Sequence, residues 1–227
     1  MKALILDAGP VISLTMNNLL WILGPLQKEF NGKFYITEAV KKELIDKPLA
    51  TKRFKFEALQ AQHFIKKKVL NIVESYPLKQ KTLHLLELAN NSLFAKNHPV
   101  RIVHYGEMSS LAACILMNAS AVAIDERTTR ELVECPEGLT RLMESKTHTK
   151  IEVDKKNFSE LKKEIAGIKV IRSAELVTIA YELGLLDKYA IRSDRAELLD
   201  AILWGVKIDG CSINKEDIDR IKKLEKS

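Results

Sequence analysis

The 227-residue chain is poor in cysteine. Its three, Cys114, Cys135 and Cys211, lie far apart and form no C-x-x-C pair, so neither a structural zinc site nor a disulfide framework is indicated. Idle or buried thiols in a reducing compartment are the simpler reading. Long apolar runs are also missing. A membrane span needs roughly 18 apolar residues, and the longest candidate, Leu111 to Ile124, is interrupted by Asn118 and Ser120. The run that follows Lys2 stops at Asp7, too early for a secretory leader, so a cytoplasmic protein without membrane contact is expected. There is no internal repeat, no low-complexity tract and no linker. There is no Walker loop and no G-x-G-x-x-G, which leaves nucleotide-binding readings without their phosphate cradle. With 46% hydrophobic residues the chain can bury a sizeable core, which excludes disorder, and its length suits one domain carrying insertions.

What the chain has is uneven charge. The net charge is +6, and between Lys41 and Lys81 there are 11 Lys or Arg against 4 Asp or Glu, an excess of +7 that leaves −1 for the remainder. A local basic stretch favours an anionic partner such as nucleic acid, although lysines also serve simply to solvate an exposed helix. Lys66, Lys67 and Lys68 are consecutive and cannot share a helix face. They are expected to mark a helix end, near the helix that carries Glu43.

The pattern of elements points to α/β. Lys2 to Leu6 reads as a buried strand, followed by a turn at Asp7-Ala8-Gly9-Pro10 and a helix from Val11 to Leu20. Gly24-Pro25 breaks that pattern. Phe34 to Ile36 is a second strand, and Thr37 caps a helix through Ile45. A basic helical insertion is expected over about 47–100, with one helix face formed by Phe54, Ala58, Ala61 and Ile65, a strand over Val69 to Val73, and helical period from Leu78 to Phe94. Tyr105 to Met117 reads as a helix, Ala121 to Ile124 as a strand, and Thr128 to Val133 as a helix start. A smaller excursion is expected over about 138–165, with a strand at Lys150 to Val153. Lys169 to Ile171 is the last core strand. Ser173 caps a helix ended by Gly184, Asp194 caps one through Val206, and Ser212 to Lys226 is a charged terminal helix. Strands alternating with helices predict a mostly parallel sheet covered on both faces.

In such sheets ligands bind beyond the carboxyl ends of the strands. Asp7 and Asp125 follow two of the predicted strands directly, at a position where the core does not need a carboxylate. Taken singly, each could equally begin a turn or cap a helix. Glu43 and Glu107 lie near the starts of helices that begin at the same edge. Four converging carboxylates would repel one another unless a divalent cation neutralised them, and oxygen-only ligation suits Mg2+ or Mn2+.

The segments LILDAGPVISL (4–14), TEAVKKEL (37–44), YGEMSSLAA (105–113) and AIDERTTR (123–130), in that order, resemble those of PIN-domain ribonucleases. The segment IKVIRSAELVTIAYELGLL (168–186) is similar to that family's closing strand-and-helix unit. The resemblance implies a three-layer PIN-like α/β fold, metal-dependent cleavage of RNA, and metal ligands at Asp7, Glu43, Glu107 and Asp125. It also implies frequent dimerisation and, for many small members, pairing with an antitoxin. This chain departs from the family in carrying Ala8 and Gly9 where a hydroxyl residue commonly follows the first acid. Glu126 is read either as an auxiliary ligand or as the cap of the next helix.

The expected reaction is hydrolysis of an RNA phosphodiester by water activated on one or two Mg2+ or Mn2+ ions. The four carboxylates position metal and water, and no separate general acid is assigned. Lys66, Lys67, Lys68, Arg127 and Arg130 are candidate phosphate contacts, with solvated surface charge as the plain alternative. One rival is a phosphotransferase using Asp7 as nucleophile, but the second acid expected two residues on is Gly9 here. Another is a PIN-like module that binds RNA or protein without cutting.

Overall fold

The computed structural model describes residues 2–190 and 195–225. Five short strands form one parallel sheet: β1 (Lys2–Leu6), β2 (Gly32–Thr37), β3 (Leu70–Val73), then, after β4 (Leu93–Ala95) and β5 (His98–Pro99), β6 (Ala121–Ala123), and finally, after β7 (Ile151–Val153), β8 (Val170–Ile171). Their order is β3-β2-β1-β6-β8. In register, Leu4 of β1 stands between Phe34 and Ala121, Phe34 beside Leu70, and Val122 beside Val170.

Side chains alternate across a strand, and here both faces are covered. Leu4, Leu6, Phe34, Ile36 and Leu70 point into a core built with helices Ala8–Met16, Leu23–Phe30, Lys55–Lys66, Ser173–Glu182, Arg195–Ile208 and Lys215–Leu224. Ile5, Val122 and Ile124 point into the opposite core, built with helices Tyr76–Asn90, Tyr105–Leu116, Arg127–Glu134, Pro136–Thr147 and Lys155–Ile165. The result is a three-layer α/β architecture. Among the described residues no helix is long and apolar enough to cross a membrane.

Several boundaries differ from the sequence expectation. The first helix begins at Ala8 and ends at Met16, short of Leu20, and Gly24-Pro25 opens the helix Leu23–Phe30 instead of ending one. Phe94 belongs to a strand, since the preceding helix stops at Asn90 and Ser92 turns the chain. Arg172, not Ser173, occupies the cap position of helix Ser173–Glu182. The expected Asp194 cap lies outside the described residues. Thr37 does cap its helix, accepting from Val40 N–H at 3.2 Å.

The segments read as insertions are structural partners. Residues 47–100 supply edge strand β3 and one helix to each layer. Within them β4 pairs antiparallel with β5 and also with β7, which lies in the excursion 138–165. Helix Tyr76–Asn90 packs against helices Tyr105–Leu116 and Lys155–Ile165. Lys81 reaches Glu164 at 2.5 Å between the second pair of helices, an ion pair of small energetic weight beside the apolar packing.

If this packing is integral, trimming it is costly. Leu85, fully buried in helix Tyr76–Asn90, is expected to cost about 2–5 kcal/mol on change to Ala. Urea unfolding checks this, and a loss under about 1 kcal/mol would mark residues 47–100 as peripheral.

Candidate active site at the carboxyl edge

Asp7 stands between the last residue of β1 and the start of helix Ala8–Met16. Its N–H donates to the Ala123 carbonyl at 3.0 Å, so the strand ladder itself fixes its position. The side chain is buried, and Ser110 Oγ donates to its Oδ1 at 3.1 Å. Burial pushes the carboxyl up to about 7, and the charges of Glu107 and Glu43 push the same way. The Ala8 N–H and the Ser110 hydroxyl oppose them only in part.

Glu43 arrives by a different device. The helix begun at Glu38 widens into a π-helical turn over Lys42–Asp46. Pro48 supplies a cause: it has no N–H to give the Leu44 carbonyl, and its ring crowds that carbonyl. Such wide turns are a common way of re-aiming a side chain. The Glu43 carboxylate rests on the first turn of helix Tyr105–Leu116, where a Cβ on Gly106 would lie 2.9 Å from Oε1 and 3.1 Å from Oε2. Glycine at 106 is therefore what lets the carboxylate approach.

Glu107 is half-buried, and its Oε2 accepts from His104 N–H at 2.7 Å, tying down the start of its helix. Burial raises its pKa; the His104 bond opposes that, and the charges of Glu126 and Glu43 add to the rise. Asp7 thus feels the charges of Glu107 and Glu43, and Glu107 that of Glu43, at a single edge.

Asp125 stands at the same edge but turns to the other side of β1. Its Oδ2 accepts from Ser13 Oγ at 2.8 Å and its Oδ1 from the Ser173 N–H at 2.8 Å. The Cys211 thiol is beside it and is pushed up to about 12, chiefly by burial and then by the Asp125 charge. Gly9 is explained here, because a Cβ at position 9 would lie 3.1 Å from Asp125 Cβ. Asp125 is a bonded carboxylate that joins the first helix to the start of helix Ser173–Glu182.

Glu126 resolves as a cap. Its Oε2 accepts from Thr129 N–H at 2.6 Å and its Oε1 from Thr128 Oγ1 at 2.8 Å, with Lys146 Nζ at 3.6 Å. Burial would raise its pKa, but the Thr128 and Thr129 donors and Lys146 hold it below the usual value.

Of the candidate phosphate contacts, Arg127 is exposed. Arg130 is engaged, donating to the Ser212 carbonyl at 3.2 Å and lying 3.6 Å from Glu134. Lys66–Lys68 do end a helix, Lys68 adopting a left-handed φ of 57°. They precede β3, however, and β3 runs parallel to β2 from Leu70 beside Phe34 to Val73 beside Thr37. The lysines therefore lie at the amino edge, roughly 15 Å along the strand direction from the level of Asp7. The helix they end packs against the widened segment that carries Glu43, as the sequence suggested, but the lysines themselves lie at the edge away from the acids.

Sequence reasoning missed Ser110, Ser13, Gly9 and Gly106, whose roles depend on close approach. It also missed Arg172, a buried guanidinium bonded to Glu175 at 2.6 Å and Asp217 at 3.2 Å, which clamps the terminal helix to the sheet edge. The only local hint was the Arg172/Glu175 spacing. The three cysteines are free; Cys114 and Cys211 are buried and Cys135 is exposed.

Comparison of the chain with protein-family models, with curated proteins and with solved structures gives no match. The site therefore speaks through its chemistry. Its donors are all carboxylate oxygens without a neutralising side-chain cation at Asp7, which suits a hard divalent cation. Among the described residues, however, no three His, Cys, Asp or Glu are already arranged to hold a metal ion.

The two aspartates should respond to amidation with opposite sign. Asp7 in the folded chain keeps its proton up to about pH 7, whereas an unburied carboxyl of this type titrates near 3.8. Between those values the folded state binds more protons, so stability falls as pH rises through the window and the loss is constant above it. Asp7→Asn removes that loss and should gain on the parent by up to about 4 kcal/mol between pH 4 and pH 8. Asp125→Asn replaces one of the two acceptors that serve Ser13 and the Ser173 N–H with an NH2 donor and should cost about 1–3 kcal/mol. Urea unfolding in EDTA at both pH values checks this, and an Asp7→Asn gain that ignored pH would refute the buried-charge account.

Proposed function

We propose that the chain is a divalent-metal-dependent ribonuclease that hydrolyses RNA phosphodiester bonds at Asp7, Glu43 and Glu107. The observation that carries the reading is the convergence of these three on helix Tyr105–Leu116 at the carboxyl edge, where burial first, and then the charges of Glu107 and Glu43, push Asp7 up to about 7. A buried carboxyl perturbed by specific acidic neighbours at such an edge is a functional-site candidate. The order of the four sequence segments that resemble PIN-domain ribonucleases points the same way.

Asp7, Glu43 and Glu107 would hold Mg2+ or Mn2+. When bound, such an ion acidifies a water molecule and neutralises charge developing on the phosphate. The chain's own residues set the stage. Ser110 and the β6 backbone orient Asp7. Gly106 opens the space for Glu43. Glu107 is held at the start of its helix by the His104 N–H on Oε2, so Oε1 is the oxygen it would offer to the metal. Asp125 acts at one remove, tying helix Ala8–Met16 to the start of helix Ser173–Glu182. The phosphotransferase alternative loses support, since position 9 is packed against Asp125 and has no room for a second acid. A non-catalytic RNA- or protein-binding module is the second reading, favoured by the two bonds that occupy Asp125 and by the unclosed arrangement of the acids. Dimerisation and an antitoxin partner follow from the family resemblance alone.

The test is cleavage of labelled single-stranded RNA in Mg2+, Mn2+ or EDTA. Cleavage is expected with either metal and not in EDTA, and Asp7→Asn and Glu43→Gln should each lose at least about 100-fold. No cleavage by the parent with either metal, or undiminished cleavage by both variants, would sink the nuclease reading in favour of the binding module. Gly106→Ala gives a finer check. Its methyl meets only the mobile end of Glu43, so the variant should fold with unchanged urea midpoint yet lose up to about 100-fold in rate through misplacement.

A further inference from the structure

Next to Glu43 the carboxyl edge opens into a cleft of about 820 Å³ that runs past the ends of β2 and β3. Its floor carries Thr37, Thr82 and Ser109. Its walls come from the π-helical segment on one side and from the start of helix Tyr76–Asn90 on the other. Lys42 and Lys47 stand on the first wall and Lys79 on the second. All three are exposed, and among the described residues none of their ammonium groups has an ion-pair partner. Tyr76 is 72% exposed at the rim, an unusual position for a large aromatic ring, and Tyr105 lines the cleft beside Gly106. The acids present are Glu38, which Lys41 neutralises at 3.0 Å, Glu74 at the rim, and Glu43 itself at the inner end.

We propose that this cleft is the binding track for an unpaired polynucleotide strand, leading it to the carboxylates. The inference rests on the nuclease reading for its destination but on separate residues for its substance. Unpaired ammonium groups on two facing walls match a backbone that repeats one negative charge per nucleotide. Exposed tyrosine rings stack on bases, and only an unpaired base offers both faces. A duplex would bring its phosphates to the walls but hold its bases away from Tyr76. The track also assigns a purpose to residues 76–90: the helix that packs on the far layer lends its first turn to the site. The basic stretch of the sequence is thus split by the fold, with Lys42, Lys47 and Lys79 at the carboxyl edge and Lys66–Lys68 at the amino edge.

The test is binding without cleavage. Fluorescently labelled single-stranded RNA and a duplex of the same length are titrated in EDTA at several salt concentrations. The single strand should bind at least tenfold more tightly than the duplex. Lys42→Gln/Lys47→Gln/Lys79→Gln should weaken single-strand binding at least tenfold and flatten the salt slope by about 0.7 for each phosphate left without its ammonium, about 2 in all. Tyr76→Ala should weaken it about 5- to 100-fold with the slope unchanged, as stacking predicts. Circular dichroism confirms that the variants are folded, and all four positions lie at the surface. Equal affinity for duplex and single strand, or unchanged affinity and slope in the triple variant, overturns the track. A larger drop in affinity from Lys66→Gln/Lys67→Gln/Lys68→Gln than from the cleft lysines does the same. The two readings fail separately: binding as expected by a protein that never cleaves RNA leaves the track and removes the nuclease, whereas cleavage with unaltered binding by the cleft variants does the reverse.

Discussion

Parallel pairing leaves the chain no short way back from one strand to the next, so every return must cross a face of the sheet. In this protein that constraint governs almost everything else. Each strand of β1, β2, β3 and β6 ends at one edge and hands the chain to a helix or loop there. Turn and cap residues therefore gather at that edge whether or not they bind anything. Asp7, Thr37, Ser75 and Asp125 all occupy such positions. The carboxyl edge becomes polar because it is where strands stop, and the core on either side stays apolar because the strands within it are only two to six residues long.

Acidic residues at such an edge are sorted by their partners. Asp125 has Ser13 and the Ser173 N–H, and Glu126 has the Thr128 and Thr129 donors with Lys146 nearby. Both hold elements together through these bonds. Asp7 has the Ala8 N–H and the Ser110 hydroxyl, but its burial and two acidic neighbours outweigh them, so its charge is poorly supported. The difference lies in the acidic neighbours, Glu107 and Glu43, and not in residue type. A buried carboxylate crowded by other acids is the one that a cation or a proton relieves.

The segments that lengthen the chain are built into both layers. Strand β3 extends the parallel sheet by one edge, which carries the carboxyl edge sideways and creates room for the cleft beside Glu43. Strands β4 and β7 come from segments far apart in sequence and pair with each other, and helix Lys155–Ile165 backs helix Tyr76–Asn90. One added segment thereby supports the other, and the pair holds the first turn of helix Tyr76–Asn90 over the site.

Periodicity and turn chemistry were enough to read the parallel sheet, its cover of helices on both faces, the strand ends at Asp7 and Asp125, and the Thr37 cap. These are local properties, written within a few residues of where they act. Which partner a side chain finds is not local. Ser13 reaches Asp125 across 112 positions and Ser173 across 48, so nothing near Asp125 told that its oxygens were taken. The widened turn that carries Glu43 looks in sequence like any helix, because the effect of Pro48 depends on the packing that keeps the helix going past it. The lysine run at 66–68 was correctly read as a helix end, but the edge on which it lies is set by the direction in which β3 joins β2. Sequence by itself determined which elements form and which residues are apolar enough to bury. Tertiary structure decided which carboxylates meet, which are neutralised and which lysines face them, because electrostatic pairing acts through space over a few ångströms and is blind to chain order.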